Sequence, residues 1–283
     1  MANTLQTIDL STNSSISARS VSVDRAVYGI DVNQTNGNYV VVEPYELDGS
    51  AGGKVIIYPQ STLQVASIVE YQTFNKVGSL LSPRDARFDW VRNKLWIADT
   101  GNNRVLKVNL NTNEVDVNIS SGLIYPHALV VDINTGNVFV RGFQSYNLNY
   151  GLISYFQKDG VALGTFAFEK SYLESSSSSD SSEEFSSEET PSSLPYNRSM
   201  AIDNNRQRLW WVDGVKVYAM DIRGKQIRSY DVRNNNYHNT FSIDIESNSG
   251  NAFVVVSDLH DEKFVIQMSR DNNEFLGMAY VGA

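Results

Sequence analysis

The sequence predicts an all-β chain of four-stranded antiparallel blades, the β-propeller class, and three observations carry that prediction. One unit recurs five times: an apolar strand ending in Asp, a polar turn rich in Asn, Gly or Arg, then further apolar strands. Two of the spacings between copies, 43 and 41 residues, match a four-stranded blade repeat. The strand "KLWIAD" at 94–99 puts Leu95 and Ile97 on one face and Trp96 on the other, which fits a strand buried on both sides.

The copies align on Asp31, Asp89, Asp132, Asp203 and Asp244. They read "YGIDVNQTNGNYVVVEP" (28–44), "ARFDWVRNKLWIADT" (86–100), "ALVVDINTGNVFVRG" (128–142), "MAIDNNRQRLWWVDG" (200–214) and "FSIDIESNSGNAFVVVSD" (241–258). Third strands follow at "GKVIIYPQ", "RVLKVNLN", "GLISYFQK", "VKVYAMDI" and "KFVIQMSR". Fourth strands follow at "QVASIVEYQ", "EVDVNIS", "GVALGTFAF", "KQIRSYDV" and "EFLGMAYV". Such a sheet cannot bury both faces alone, whereas sheets packed face to face cover one another. Trp96, Trp210, Phe139 and Phe253 share one register and are expected to be core between blades rather than platforms for a ligand.

The two longer spacings, 58 and 71 residues, contain "EPYELDGSAGG" in the first blade and a Ser-rich run in the third. The run at 175–193 has eleven serines, five acids and no basic residue, a composition that cannot bury enough apolar surface to order itself. An insertion over 174–193 is therefore expected to loop out between blades three and four. The propeller is assigned to 26–283. Residues 1–25 are too few for another blade and are expected to be an arm or a partial blade, so the count is five or six.

Composition narrows function. A net charge of −9 argues against nucleic acid as partner, because phosphate binding needs a basic field. The longest apolar runs, such as "AFVVV" at 252–256, are far short of a membrane span. Without cysteine there is neither a disulfide framework nor thiolate chemistry. The N-terminal residues lack the basic and apolar regions of a secretory signal. A soluble protein is expected, and an extracellular or virion-surface location is compatible with it.

The stretch "SPRDARFDWVRNKLWIADTGNNRVLKVNL" at 82–110 resembles an NHL repeat, with moderate matches at 125–140 and 198–213. The resemblance implies a β-propeller, usually of six blades, and no particular activity.

Five residues before the aligned aspartates stand Ala26, Arg84, His127, Arg198 and Asn239, with Asp85 and His238 beside two of them. Arg84, Asp85, His127, Arg198, His238 and Asn239 are the candidate ligand-binding residues, at one mouth of the channel. Guanidinium and imidazole groups converging there suit a carboxylate or sulfate. The plainer alternative pairs each Arg with a local acid, such as Arg84 with Asp85. "YPHALVVD" at 125–132 is similar to a zinc-ligand strand in the propeller lyases of peptide amidation. Those need three His from different blades, and His260 lies in a loop, so neither metal nor other cofactor is expected. No Glu begins an inner strand, unlike the calcium site of lactonase-like propellers. No phosphate loop or nucleophile elbow is present. Glu43, Asp99 and Asp213 share a register and are expected to cap hairpin turns. Sequons at Asn13, Asn33, Asn118 and Asn197 carry little weight in a chain so rich in Asn and Ser.

The leading expectation is a non-catalytic module that presents loop faces to a protein or glycan. A structural part of a larger assembly, such as a viral appendage or surface layer, is a second, with the N-terminal arm linking copies or partners. A hydrolase or lyase using the channel mouth is a third.

Overall fold

The computed structural model describes residues 3–5, 21–23, 27–45, 51–59, 69–142, 150–169, 199–223, 227–271 and 275–282. The Ser-rich run and Arg198 therefore lie outside the described residues. The chain is an all-β propeller of five four-stranded antiparallel blades, each taking its strands in chain order. Near the N-terminus β1 (Asn3–Leu5) pairs with β2 (Val21–Val23) as a separate two-stranded sheet.

Blade 1 is β3 (Gly29–Val32), β4 (Tyr39–Tyr45), β5 (Ala51–Tyr58) and β6 (Val69–Tyr71). A small hairpin, β7 (Thr73–Phe74) with β8 (Gly78–Ser79), leads to blade 2. Blade 2 is β9 (Asp85–Asp89), β10 (Lys94–Asp99), β11 (Arg104–Asn109) and β12 (Glu114–Ile119). Blade 3 is β13 (Ala128–Val131), β14 (Val138–Gly142), β15 (Tyr150–Phe156) and β16 (Ala162–Glu169). Blade 4 is β17 (Met200–Asp203), β18 (Arg208–Asp213), β19 (Lys216–Asp221) and β20 (Ile227–Asp231). Blade 5 is β21 (Asn239–Ile245), β22 (Ala252–Ser257), β23 (Lys263–Met268) and β24 (Phe275–Gly282).

The chain divides into two compact units. The first comprises Met1–Ser145 and Leu152–Phe166, with blades 1 and 2 and most of blade 3. The second comprises Tyr146–Gly151 and Ala167–Ala283, with blades 4 and 5 and the rest of blade 3.

Within each unit the core lies between blades. Leu95 and Ile97 of β10 join Val40, Val42 and Val55 of blade 1. Their neighbours Trp96 and Ala98 turn the other way, onto Leu129, Val131, Val138 and Val140 of blade 3. In the second unit Trp210, Val212 and Val217 pack on Ile243, Val254 and Val256. Strand alternation thus feeds two cores at once, and Trp96 and Trp210 are fully buried between blades. Phe139 is buried too, and Phe253 is half-buried.

The "EPYELDGSAGG" insertion lengthens the β4–β5 hairpin. Its register shifts between Glu43 and Tyr45, where Pro44 has no N–H for the ladder.

Two of the five aligned aspartates do not hold their turns. In blade 1 the turn residue is Asn33, whose Oδ1 accepts the Thr35 N–H at 2.9 Å and whose carbonyl accepts the Gly37 N–H at 2.7 Å. In blade 5 it is Glu246, whose carbonyl accepts the Gly250 N–H at 2.7 Å. Asp31 and Asp244 lie two residues earlier, inside β3 and β21. The alignment slipped because strand alternation has a period of two, so a two-residue offset leaves the apolar pattern unchanged. Asn and Glu oxygens also accept turn N–H groups as Asp does.

These turns are joined across neighbouring blades. Arg92 bonds Asp89 (3.1 Å) and reaches the Ile133 and Asn134 carbonyls in the next blade's turn at 3.0 and 2.9 Å. In the second unit Arg206 bonds Asp203 (3.1 Å) and the Asn248 carbonyl (2.9 Å). The receiving turns need glycine: a Cβ on Gly250 (φ +76°) would sit 2.5 Å from the Asp203 carboxylate and 2.7 Å from Arg206. Gly250→Ala should therefore cost about 2–3 kcal/mol, combining left-handed strain with the displaced joint. Urea denaturation reads this directly, and a cost below roughly 0.5 kcal/mol would refute the joint.

Candidate functional site

The first unit brings together the entry segments of three blades, the residues just before β3, β9 and β13. The N–H groups of Tyr28, Arg84 and His127 donate to Val42, Ala98 and Arg141, the corresponding second-strand carbonyls, at 3.1, 3.0 and 2.9 Å. These three are therefore register equivalents. With the blade 1 turn at Asn33, the residue beside Arg84 is Tyr28 and not Ala26. The Arg84 guanidinium lies over the Tyr28 ring, 4.5 Å from its centroid, an arrangement stabilised by the ring quadrupole.

Blades 2 and 3 enter through the same device, "SPR" at 82–84 and "YPH" at 125–127. Ser82 and Tyr125 hold left-handed φ of 45° and 46°, although proline disfavours helical backbone in the residue before it. The preceding blade pins both. The Ser82 N–H donates to the Gly52 carbonyl (2.6 Å), and the Tyr125 N–H donates to Asn103 Oδ1 (2.7 Å). Thr100 Oγ1 adds a bond to the Pro126 carbonyl at 2.5 Å. The Tyr125 carbonyl accepts from His127 Nδ1 at 2.9 Å, which places a proton on that nitrogen. Tyr125, at 37% exposure, was missed in the sequence, although the parallel of "SPR" and "YPH" marks its position.

Asp85, next to Arg84, is buried and does a different job. Its carboxylate accepts the Ala86 and Leu129 N–H groups at 3.0 and 2.9 Å and lies 3.2 Å from Arg87 Nε. It thereby ties β9 to β13. Burial pushes its carboxyl above the usual carboxylate range, against the pull of Arg87. The guanidinium on Asp85 is thus that of Arg87.

His238 and Asn239 belong to the second unit, at the head of β21. The His238 N–H donates to Ser257 (2.7 Å), and Asn239 Oδ1 accepts the Thr240 N–H (3.0 Å). Thr240 is held by the Gly214 carbonyl through both its N–H and Oγ1, at 2.8 and 2.7 Å. A register shift between Thr240 and Ser242 places His238 and Asn239 further from the turn than Arg84 and His127 are from theirs. His260 sits in an exposed loop.

Glu43, Asp99 and Asp213 do share a register, and each is opposed by a base across its hairpin: Lys54, Arg104 and Lys216. Asp99 is not a hairpin cap. It pairs with Arg104 at 2.6 Å and accepts the Leu81 N–H at 2.7 Å, from the segment entering the blade. Arg104 extends to the Val77 and Ser79 carbonyls at 2.6 and 3.0 Å. The "ADTGNNR" motif is therefore a clamp on the entry of its own blade and, through Asn103 and Thr100, of the next.

Of the sequons, Asn33 is buried in its turn and Asn118 is exposed on β12. Asn13 and Asn197 lie outside the described residues. Among the described residues no three His, Asp or Glu side chains are grouped to hold a metal, and no helix is long and apolar enough to cross a membrane.

No family model matches the chain, and no curated protein matches it. Among solved structures, one from a crystal structure of a nidogen/laminin complex is similar over 97% of this chain and 88% of that chain. The TM-score is 0.65 at 12% identity. The likeness is one of fold: both are β-propellers.

Proposed function

We propose that this chain is a non-catalytic interaction module of NHL-like blades, presenting its entry segments to a protein or glycan partner that carries an anionic group. The observation that supports this most is the row of Tyr28, Arg84 and His127 on consecutive inner strands, with Tyr125 exposed beside it. Aromatic rings and a guanidinium are groups that recognise a carboxylate or sulfate, while the His127 imidazole, with Nδ1 on the Tyr125 carbonyl and Nε2 buried, holds the Tyr125 backbone beside them. The strained backbone points the same way. Tyr125 is a large, exposed aromatic held at a left-handed φ of 46°, and such strained positions cluster at binding sites. The similar solved propeller comes from a protein–protein complex, a precedent for this use of the fold.

The test is a glycan array together with pull-down, followed by affinity measurement on the partner found. Arg84→Ala should weaken binding about tenfold or more, the usual loss for an arginine anchor. Turnover of an ester or lactone, with no partner captured, would replace this reading with an enzymatic one.

A further inference from the structure

We propose that Asp31, Arg87 and Asp85 form a proton-operated joint between the inner strands of blades 1, 2 and 3, one that tightens on mild acidification. Two carboxylates from neighbouring inner strands share one guanidinium. Arg87 is 3.2 Å from Asp85 and 4.0 Å from Asp31, and its NH1 also donates to the Ile30 carbonyl at 3.3 Å. Each carboxylate also accepts a backbone N–H from the next blade: Phe88 to Asp31 at 2.8 Å and Leu129 to Asp85 at 2.9 Å. With both acids ionised the cluster holds one uncompensated negative charge, and such a pair relieves itself by binding a proton.

Asp31 is the member that takes it, because Arg87 lies closer to Asp85. Burial raises the Asp31 carboxyl to about 6, against the lowering effect of Arg87 and of the Phe88 N–H, with Asp85 adding a further push upward. β3, β4 and β13 each pack on β9 at this joint, and β10, which carries Lys94 and Asp99, pairs with β9. Beyond the cluster their other ionisable residues are Tyr39 and Glu43 on β4, the latter with Lys54, and Asp89 on β9; Arg84 and His127 stand at the strand heads and Asp132 follows β13. His127, at the head of β13, is the control.

A raised native value means that the folded protein binds this proton more tightly than the unfolded chain. The stabilisation is complete below about pH 4 and is lost as pH rises through about 6. Asp31→Asn keeps an acceptor for Phe88 and removes the charge. At pH 7.5 this variant should melt roughly 4–8 °C above the wild type. At pH 4.5 the gap should close, and it should do so equally in a His127→Gln background. Carboxyl NMR of the wild-type protein should show Asp31 inflecting near 6, independently of how any variant folds. A melting difference that stays constant across this range, or an Asp31 inflection near 4, would overturn the joint. Neither outcome bears on whether the entry row binds a partner.

Discussion

Asp99→Ala should lower stability by about 3–5 kcal/mol, the cost of leaving one partner of a buried ion pair uncompensated. Asp99 is fully buried, and its oxygens serve Arg104 Nε (2.6 Å), the Leu81 N–H (2.7 Å) and Asn102 Nδ2 (2.8 Å). Removing the carboxylate leaves the buried Arg104 guanidinium without its counter-charge, held only by the Val77 and Ser79 carbonyls. It also frees the segment that carries Ser82, Pro83 and Arg84 into β9, so Arg84 would lose its fixed place over Tyr28. Arg104→Met alone should be similarly severe. The double variant, Asp99→Leu with Arg104→Met, should recover a large part of the loss, because burying two charges offsets much of their mutual attraction. Urea unfolding of the four proteins forms a double-mutant cycle. Single-variant losses below roughly 1 kcal/mol would mean that the clamp is ornamental.

Trp96→Ala should destabilise by about 3–5 kcal/mol, the range for a large aromatic removed from a close-packed core. Trp96 is fully buried against Leu129, Val138 and Val140. Lys107 Nζ lies 5.3 Å from its ring centroid and donates to the Lys158 carbonyl at 2.7 Å. Burial pulls the Lys107 amine below its usual range, and loss of the ring would remove the aromatic face beside it. Trp96→Phe should cost much less. The indole Nε1 is buried without an acceptor among the described residues, and the substitution discards that unsatisfied donor while keeping most of the ring. Equal losses for Ala and Phe, measured by thermal or chemical melting, would show that the indole N–H is hydrogen-bonded and counts for as much as the ring.

How far the site was legible in the sequence varies residue by residue. The repeats at 86–100 and 200–214 aligned correctly, because Asp89 and Asp203 are both turn holders and both are followed three residues later by Arg. Asp132 holds its turn too, accepting the Asn134 N–H, so Arg84 and His127 could be placed together. Tyr28 could not, since Asp31 offered a false anchor two residues from Asn33 and nothing in an alternating pattern penalises a shift of two. The same slip, with Asp244 taken for Glu246, misplaced His238 and Asn239, and the bulge in β21 added one more residue that composition does not show. The sequence marked Asp99 as structural, but its partner Leu81 lies 18 residues upstream, in a segment with no repeat signature.

By itself the sequence determined the all-β class, the five blade repeats and the two-sided burial of strands such as β10, because alternation and repetition are local properties written along the chain; that no sixth four-stranded blade stands among the described residues came from the structure. The tertiary structure alone decided which oxygen meets which N–H between blades: Asp31 with Phe88, Asp85 with Leu129, Arg92 with the turn at Ile133. Those contacts join residues 57, 44 and 41 positions apart. They depend on register and on how neighbouring strands stack, and hydrogen-bond distances of 3 Å are set only when the sheets have packed.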